Sequence, residues 1–154
     1  MQETDRIRDQ LRRAYEGPAW HGPSVKEVLS GVDEQMAARK VIPNAHSIWE
    51  IVNHIAGWTD VVSARLKGDS ISEPVPGDFP PAAEPDPDGW KKTLAWLHES
   101  HKELQNAIAA IPESKLDESA PGLPKGAFYG TLHGTVQHYL YHAGQIALLK
   151  KAPS

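Results

Sequence analysis

The stretch Trp90-Lys-Lys-Thr-Leu94-Ala-Trp-Leu97-His-Glu-Ser-His101-Lys-Glu-Leu104-Gln-Asn-Ala-Ile108-Ala-Ala-Ile111 places Trp90, Leu94, Leu97, His101, Leu104, Ile108 and Ile111 in alternating steps of four and three. That 3.5-residue period belongs to a helix packed nearly parallel or antiparallel to its neighbours in a bundle. A start near Asp88 and a stop at Pro112 bound it. No segment of the chain shows strand alternation, so the expected class is all-α.

The elements on either side follow the same logic. Downstream, a loop from Glu113 to Gly130 holds Pro121-Gly122 and Pro124-Lys-Gly126, and a last helix runs from about Thr131 to Lys150. Lys150 and Lys151 suit its negative end. Upstream, six prolines (Pro74, Pro76, Pro80, Pro81, Pro85, Pro87) make Ser70–Pro87 neither helix nor central strand. A linker of this length tends to be functional or to cross a bundle end.

Before it, Ser47 and Glu50 form a capping box ahead of a helix with the stripe Ile48, Ile51/Val52, Ile55, Val62 and Leu66, ended by Gly68-Asp69. A first helix spans Glu3 to Glu16, burying Ile7, Leu11 and Ala14/Tyr15 and ending at Gly17-Pro18. After the turn Trp20-His-Gly-Pro23, Ser24 and Glu27 start a short helix through Leu29, and Asp33 opens another around Gln35 to Arg39. The expected architecture is a four-helix bundle in a single domain, residues 1–154, with one or two short extra helices and a long proline-rich loop.

Composition narrows the function. The 154 residues carry a formal charge of −4, with no Lys/Arg-rich block, which argues against nucleic acid as a partner. No apolar run of about eighteen residues could span a bilayer, and the charged N-terminus is unlike a signal peptide, so no membrane and a cytoplasmic location are expected. There is no cysteine, which excludes disulfides, thiolate ligands and a cysteine nucleophile. Any thiol chemistry must arrive with a substrate, and any metal must be held by His, Asp, Glu or water.

Histidine is the residue that could hold one. In His138-Tyr-Leu-Tyr-His142-Ala-Gly-Gln145 two imidazoles lie four apart on one helical face, within the stripe Thr135, His138, His142, Gln145, Leu149. His54, in Ser47-Ile-Trp-Glu-Ile-Val-Asn-His54-Ile-Ala-Gly-Trp58, lies at the margin of another helix's buried stripe. Two antiparallel helices could thus bring three nitrogens to one divalent ion and leave other coordination positions open, as catalytic or ligand-binding sites do. Equally, each ring could bond a backbone carbonyl or a water.

Three further residues are weaker candidates. Gln145 could orient a ligand or pack the helix. Glu50 could act as base or support His54, although its capping box already accounts for it. His101 could be a fourth ligand, a substrate contact or a satisfied core residue. Tyr139, Tyr141, Trp49 and Trp58 are expected to wall the core or a pocket; His21, His46, His98 and His133 have no evident role. The pair lacks the glutamate of H-E-x-x-H proteases, and no nucleophile elbow, phosphate loop or dinucleotide fingerprint occurs. The Glu-x-x-His pairs of di-iron bundles are missing from the last helix.

Trp20-His-Gly-Pro-Ser24, His46-Ser-Ile-Trp-Glu-Ile-Val-Asn-His54-Ile-Ala-Gly-Trp58 and His138-Tyr-Leu-Tyr-His142-Ala-Gly-Gln-Ile-Ala-Leu-Leu149 resemble, in order, segments of the DinB-like (DinB/YfiT) superfamily. The resemblance implies a metal-binding four-helix bundle, with His54, His138 and His142 holding one divalent ion: nickel or zinc, with iron or manganese as alternatives. It also implies a homodimer. Family activities include S-transfer from bacillithiol, mycothiol or glutathione, a mycothiol-dependent isomerisation and metal-dependent hydrolysis; other members are tied to stress induction. The implied function is a metal-dependent enzyme activating a small thiol or water against a small-molecule substrate. The alternative is a stress-response module that binds metal or ligand without turnover.

Overall fold

Ser24, Asp33, Ser47 and Asp86 each accept a hydrogen bond from the backbone N–H three residues on, and each starts a helix. In the computed structural model, which describes every residue except Ala83, Gly122, Pro124, Lys125, Gly126 and Ser154, the helices are α1 (Glu3–Glu16), α2 (Val25–Leu29), α3 (Glu34–Ala38), α4 (Ile48–Leu66), α5 (Pro87–Ala110) and α6 (Phe128–Lys150). A 3-10 turn at Glu113–Asp117 joins α5 to α6, and no strand occurs among the described residues.

Two starts differ from the sequence reading. Helix α5 begins at Pro87, because a proline fits the first helical position behind the Asp86 cap. Helix α6 begins at Phe128 rather than Thr131. The Phe128 side chain is wholly buried and its N–H donates to the Glu118 carbonyl (2.8 Å), which draws the turn containing Gly130 into the helix. Of the turn residues expected in that loop, Gly122 and Pro124-Lys-Gly126 lie outside the described residues.

The four long helices form a square in which α4 packs on α5 and α6, and α1 packs on the same two. The short helices plug the remaining gaps, α2 against α1 and α6, α3 against α4 and α5. Val52, Ile55, Leu104, Ile108, Phe128, Tyr139 and Ile146 are fully buried at the centre. Each such apolar side chain contributes about 1.5–3 kcal/mol relative to exposure.

Cross-helix contacts fix the directions. Trp49 Nε1 donates to Thr93 Oγ1 (2.9 Å) near the starts of α4 and α5, and Lys67 pairs with Glu103 near their ends, so these neighbours run parallel. His54, nearer the start of α4, meets His138 and His142, whereas Val62 farther along shares a cavity wall with the earlier α6 residues Thr131 and Thr135, so α4 and α6 run antiparallel.

Parallel neighbours need a long return connection, and the proline-rich segment supplies it by running back along α4 instead of crossing a bundle end. Arg65 donates to the carbonyls of Ile71 (2.9 Å) and Ser72 (3.1 Å), and Trp58 donates to Asp78 Oδ1 (2.7 Å). Asn53 donates to the Pro80 carbonyl (3.3 Å). Gly57 permits the approach, since a Cβ there would sit 3.0 Å from Pro74 Cβ. The loop is held down one helical turn after another, and its path passes over His54.

Candidate metal centre

Two adjacent antiparallel helices deliver three imidazoles to one point. His54 comes from the middle of α4, and His138 and His142 from successive turns of α6. One nitrogen from each lies within 4.8 Å of the others, and His54 Nε2 is 2.8 Å from His138 Nε2. Two imidazole nitrogens so close require a proton or a cation between them, because facing lone pairs repel.

The second nitrogen of two of these rings is already committed. His54 Nδ1 donates to the Asp78 carbonyl (2.8 Å) and lies 3.1 Å from Asp78 Oδ1. His142 Nδ1 donates to Gln145 Oε1 (2.6 Å). With the proton fixed on Nδ1, the Nε2 lone pair of each ring is free to act as a ligand, the arrangement that orients metal-bound histidines.

Burial also keeps the rings neutral. His138 is lowered to about 3, first by desolvation and then by the charges of His142 and His54. His142 is lowered to about 4 by desolvation, against the pull of its bond to Gln145. For His54, desolvation outweighs the bonds and charge of Asp78 and the value again falls. Neutral imidazole is the form a metal needs. The donor set therefore fits a first-row divalent ion, and its three nitrogens do not select among metals.

Phe79 closes the site. Its ring stacks on His54 at 3.9 Å and 7°, and on its other side His46 stacks at 3.7 Å and 3°. Asp78, Phe79 and His46 were not legible as site residues in the sequence. The one available signal was an acid and an aromatic ring, one of only two phenylalanines, set among prolines.

The weaker candidates fall in different places. Gln145 touches the site through His142. Glu50 stands one turn before His54, but its carboxylate accepts the Ser47 N–H (2.7 Å) and pairs with Lys40 (2.7 Å). His101 lies outside the cluster, stacked on Tyr15 at 4.1 Å and near the Tyr139 hydroxyl. Trp49 and Tyr139 are in the core and Trp58 lines a cavity, as expected of them. Tyr141 is 66% exposed and lines neither the core nor this cavity, although its ring meets the His142 ring edge-on at 5.1 Å.

A cavity of about 370 Å³ opens beside the imidazoles, with His54 and His138 in its wall together with Trp58, Val62, Asp78 and Thr135. A ligand there would reach the point where the nitrogens converge. Replacing Gln145 by leucine would leave the His142 Nδ1–H without its acceptor, and metal affinity is expected to fall about 10- to 100-fold. Competition with a chromophoric chelator measures this, and an unchanged affinity would show that Gln145 does not set the ring.

No helix among the described residues is long and apolar enough to cross a membrane. In comparisons with known proteins, no curated protein and no solved structure matches the chain. A family model described as the DinB superfamily matches residues 8–146, nearly the whole chain and every residue that builds the centre. On that match and this all-helical bundle, the chain belongs to the DinB superfamily.

Proposed function

We propose that this protein is a metal-dependent enzyme in which His54, His138 and His142 hold one divalent ion that activates a small thiol, or water, against a small-molecule substrate. The convergence of three neutral imidazole nitrogens beside an open cavity carries this reading. Three protein ligands and a free approach are the pattern of catalytic rather than structural sites. An ion held by neutral ligands keeps its positive charge and lowers the pKa of a bound thiol or water toward neutrality.

The chain's own residues supply the rest. Asp78 and Gln145 hold two rings in the ligating tautomer, Phe79 shields one face of His54 from solvent, and the cavity admits the reactant. Because the chain has no cysteine, the thiol comes from solution. A module that binds the metal alone would not need the adjoining cavity, which favours a site that also takes a small molecule.

The test is conjugation of bacillithiol, mycothiol or glutathione to a haloaryl electrophile, run beside hydrolysis of small esters and amides. Each is assayed with zinc- or nickel-loaded and with chelated protein. Loaded protein should exceed chelated protein by at least about 100-fold in one of the two reactions, given what metal activation of a nucleophile contributes. Equal rates with and without metal would overturn the reading.

A further inference from the structure

A second cavity, of about 460 Å³, opens between α1, α2 and α5, and none of the three clustered histidines lines it. Its floor is apolar: Leu29 and Leu97 are buried, and Leu94 packs against the same core. The volume falls within the usual range of small-ligand sites. Nothing in the metal centre accounts for it.

The polar groups around this floor are donors. Tyr15 is buried with its ring stacked on His101 at 4.1 Å, which fixes the phenol in place. Its hydroxyl is 3.4 Å from His98 Nδ1, at the outer limit of a hydrogen bond, so it remains free to donate to a ligand. Burial, and then the charge of Glu16, push the phenol up to about 12, which keeps its proton in place. Lys26 lines the cavity and makes no ion pair among the described residues, since the carboxylate of its neighbour Glu27 is taken by the Ser24 N–H (2.7 Å). Lys150 brings another ammonium to the rim, where it donates to the Ser30 carbonyl (2.9 Å). No carboxylate is among the described lining residues. Glu16 and Glu99, each next to a lining residue, stand outside the space, and Glu99 pairs with Lys102 (3.8 Å).

We propose that this cavity is a second ligand site, for a small monocarboxylate with an apolar body. The body lies on Leu29, Leu94 and Leu97, and the carboxylate meets the Lys26 ammonium and the Tyr15 hydroxyl. An ammonium and a phenol beside an apolar floor satisfy the single anionic end of an otherwise hydrophobic molecule. An amine of the same shape would meet Lys26 with like charge. The site shares no residue with the metal centre, so it fills whether or not that centre is loaded.

Two probes with the same phenylbutyl body and charges of opposite sign test this: phenylbutyrate and phenylbutylamine, titrated into metal-loaded and chelated protein while the leucine methyls are followed by NMR. Phenylbutyrate should shift the methyls of Leu29, Leu94 and Leu97 in both forms, and bind at least about fivefold tighter than the amine. Lys26→Glu, at an exposed position, should reverse that order. Tyr15→Phe keeps the ring on His101 and should weaken phenylbutyrate about fivefold or more. No shift of these methyls by phenylbutyrate, binding that requires the metal, an amine held as tightly as the acid, an order unchanged by Lys26→Glu, or phenylbutyrate affinity undiminished by Tyr15→Phe would each overturn the proposal.

Discussion

Replacing His142 by alanine is expected to lower metal affinity by more than about 100-fold, a larger loss than removal of a supporting hydrogen bond gives. Two nitrogens would remain, from His54 and His138, and Gln145 Oε1 would lose its donor. The fold should survive. His142 is one ring at the margin of a core whose large residues, Tyr139, Phe128 and Ile146 among them, are untouched. Circular dichroism should show unchanged helix content while equilibrium dialysis shows the loss of metal. Equal affinity in the variant and the parent would mean that His142 is not a ligand.

The second large effect is acid lability of the metal-free protein. His101 is lowered to about 4 from an ordinary 6.5, first by burial and then by the charge of His98, and it is only 3% exposed. His142 is lowered similarly and His138 further. The unfolded chain takes up these protons near pH 6.5, and the folded chain resists until about pH 4 for His101 and His142. Over that interval the unfolded state binds more protons, so stability falls as pH falls.

His101 alone accounts for a loss on the order of 3 kcal/mol, at about 1.4 kcal/mol per pH unit of displacement. Urea unfolding of chelated protein at several pH values measures it. His101→Phe should reduce the loss between pH 6.5 and 4 by about that amount. Zinc or nickel should oppose the part due to the metal-site rings, because protons and metal compete for the same nitrogens. A stability independent of pH across that range would contradict the neutral, buried state of these histidines.

Local signals carried most of the architecture. Capping boxes at Ser24 and Ser47 declare their helices because the bonds close within four residues. The stripe from Trp90 to Ile108 declares its burial because periodicity is a property of the segment itself. The α6 histidines were legible for the same reason, and His54 was legible as a polar residue at the edge of an apolar stripe.

What escaped the sequence is what long-range contacts decide. Asp78 and Phe79 lie in a segment without periodicity, and reach His54 only because the loop doubles back along α4. His46 reaches the site by stacking on Phe79. His101 shares the period of the α5 stripe, yet that face meets Tyr15 and Tyr139 rather than the three-histidine cluster. Spacing places a residue on a face; it does not say which neighbour the face meets.

The most direct measurement is elemental analysis of untagged protein, equilibrated with zinc or nickel and freed of unbound ion. The wild type and His101→Phe should each retain about one divalent ion per chain, as a single three-nitrogen site requires. The triple variant His54→Ala/His138→Ala/His142→Ala should retain almost none. A wild type that holds no more metal than the triple variant would contradict the claim that these three imidazoles form a metal centre.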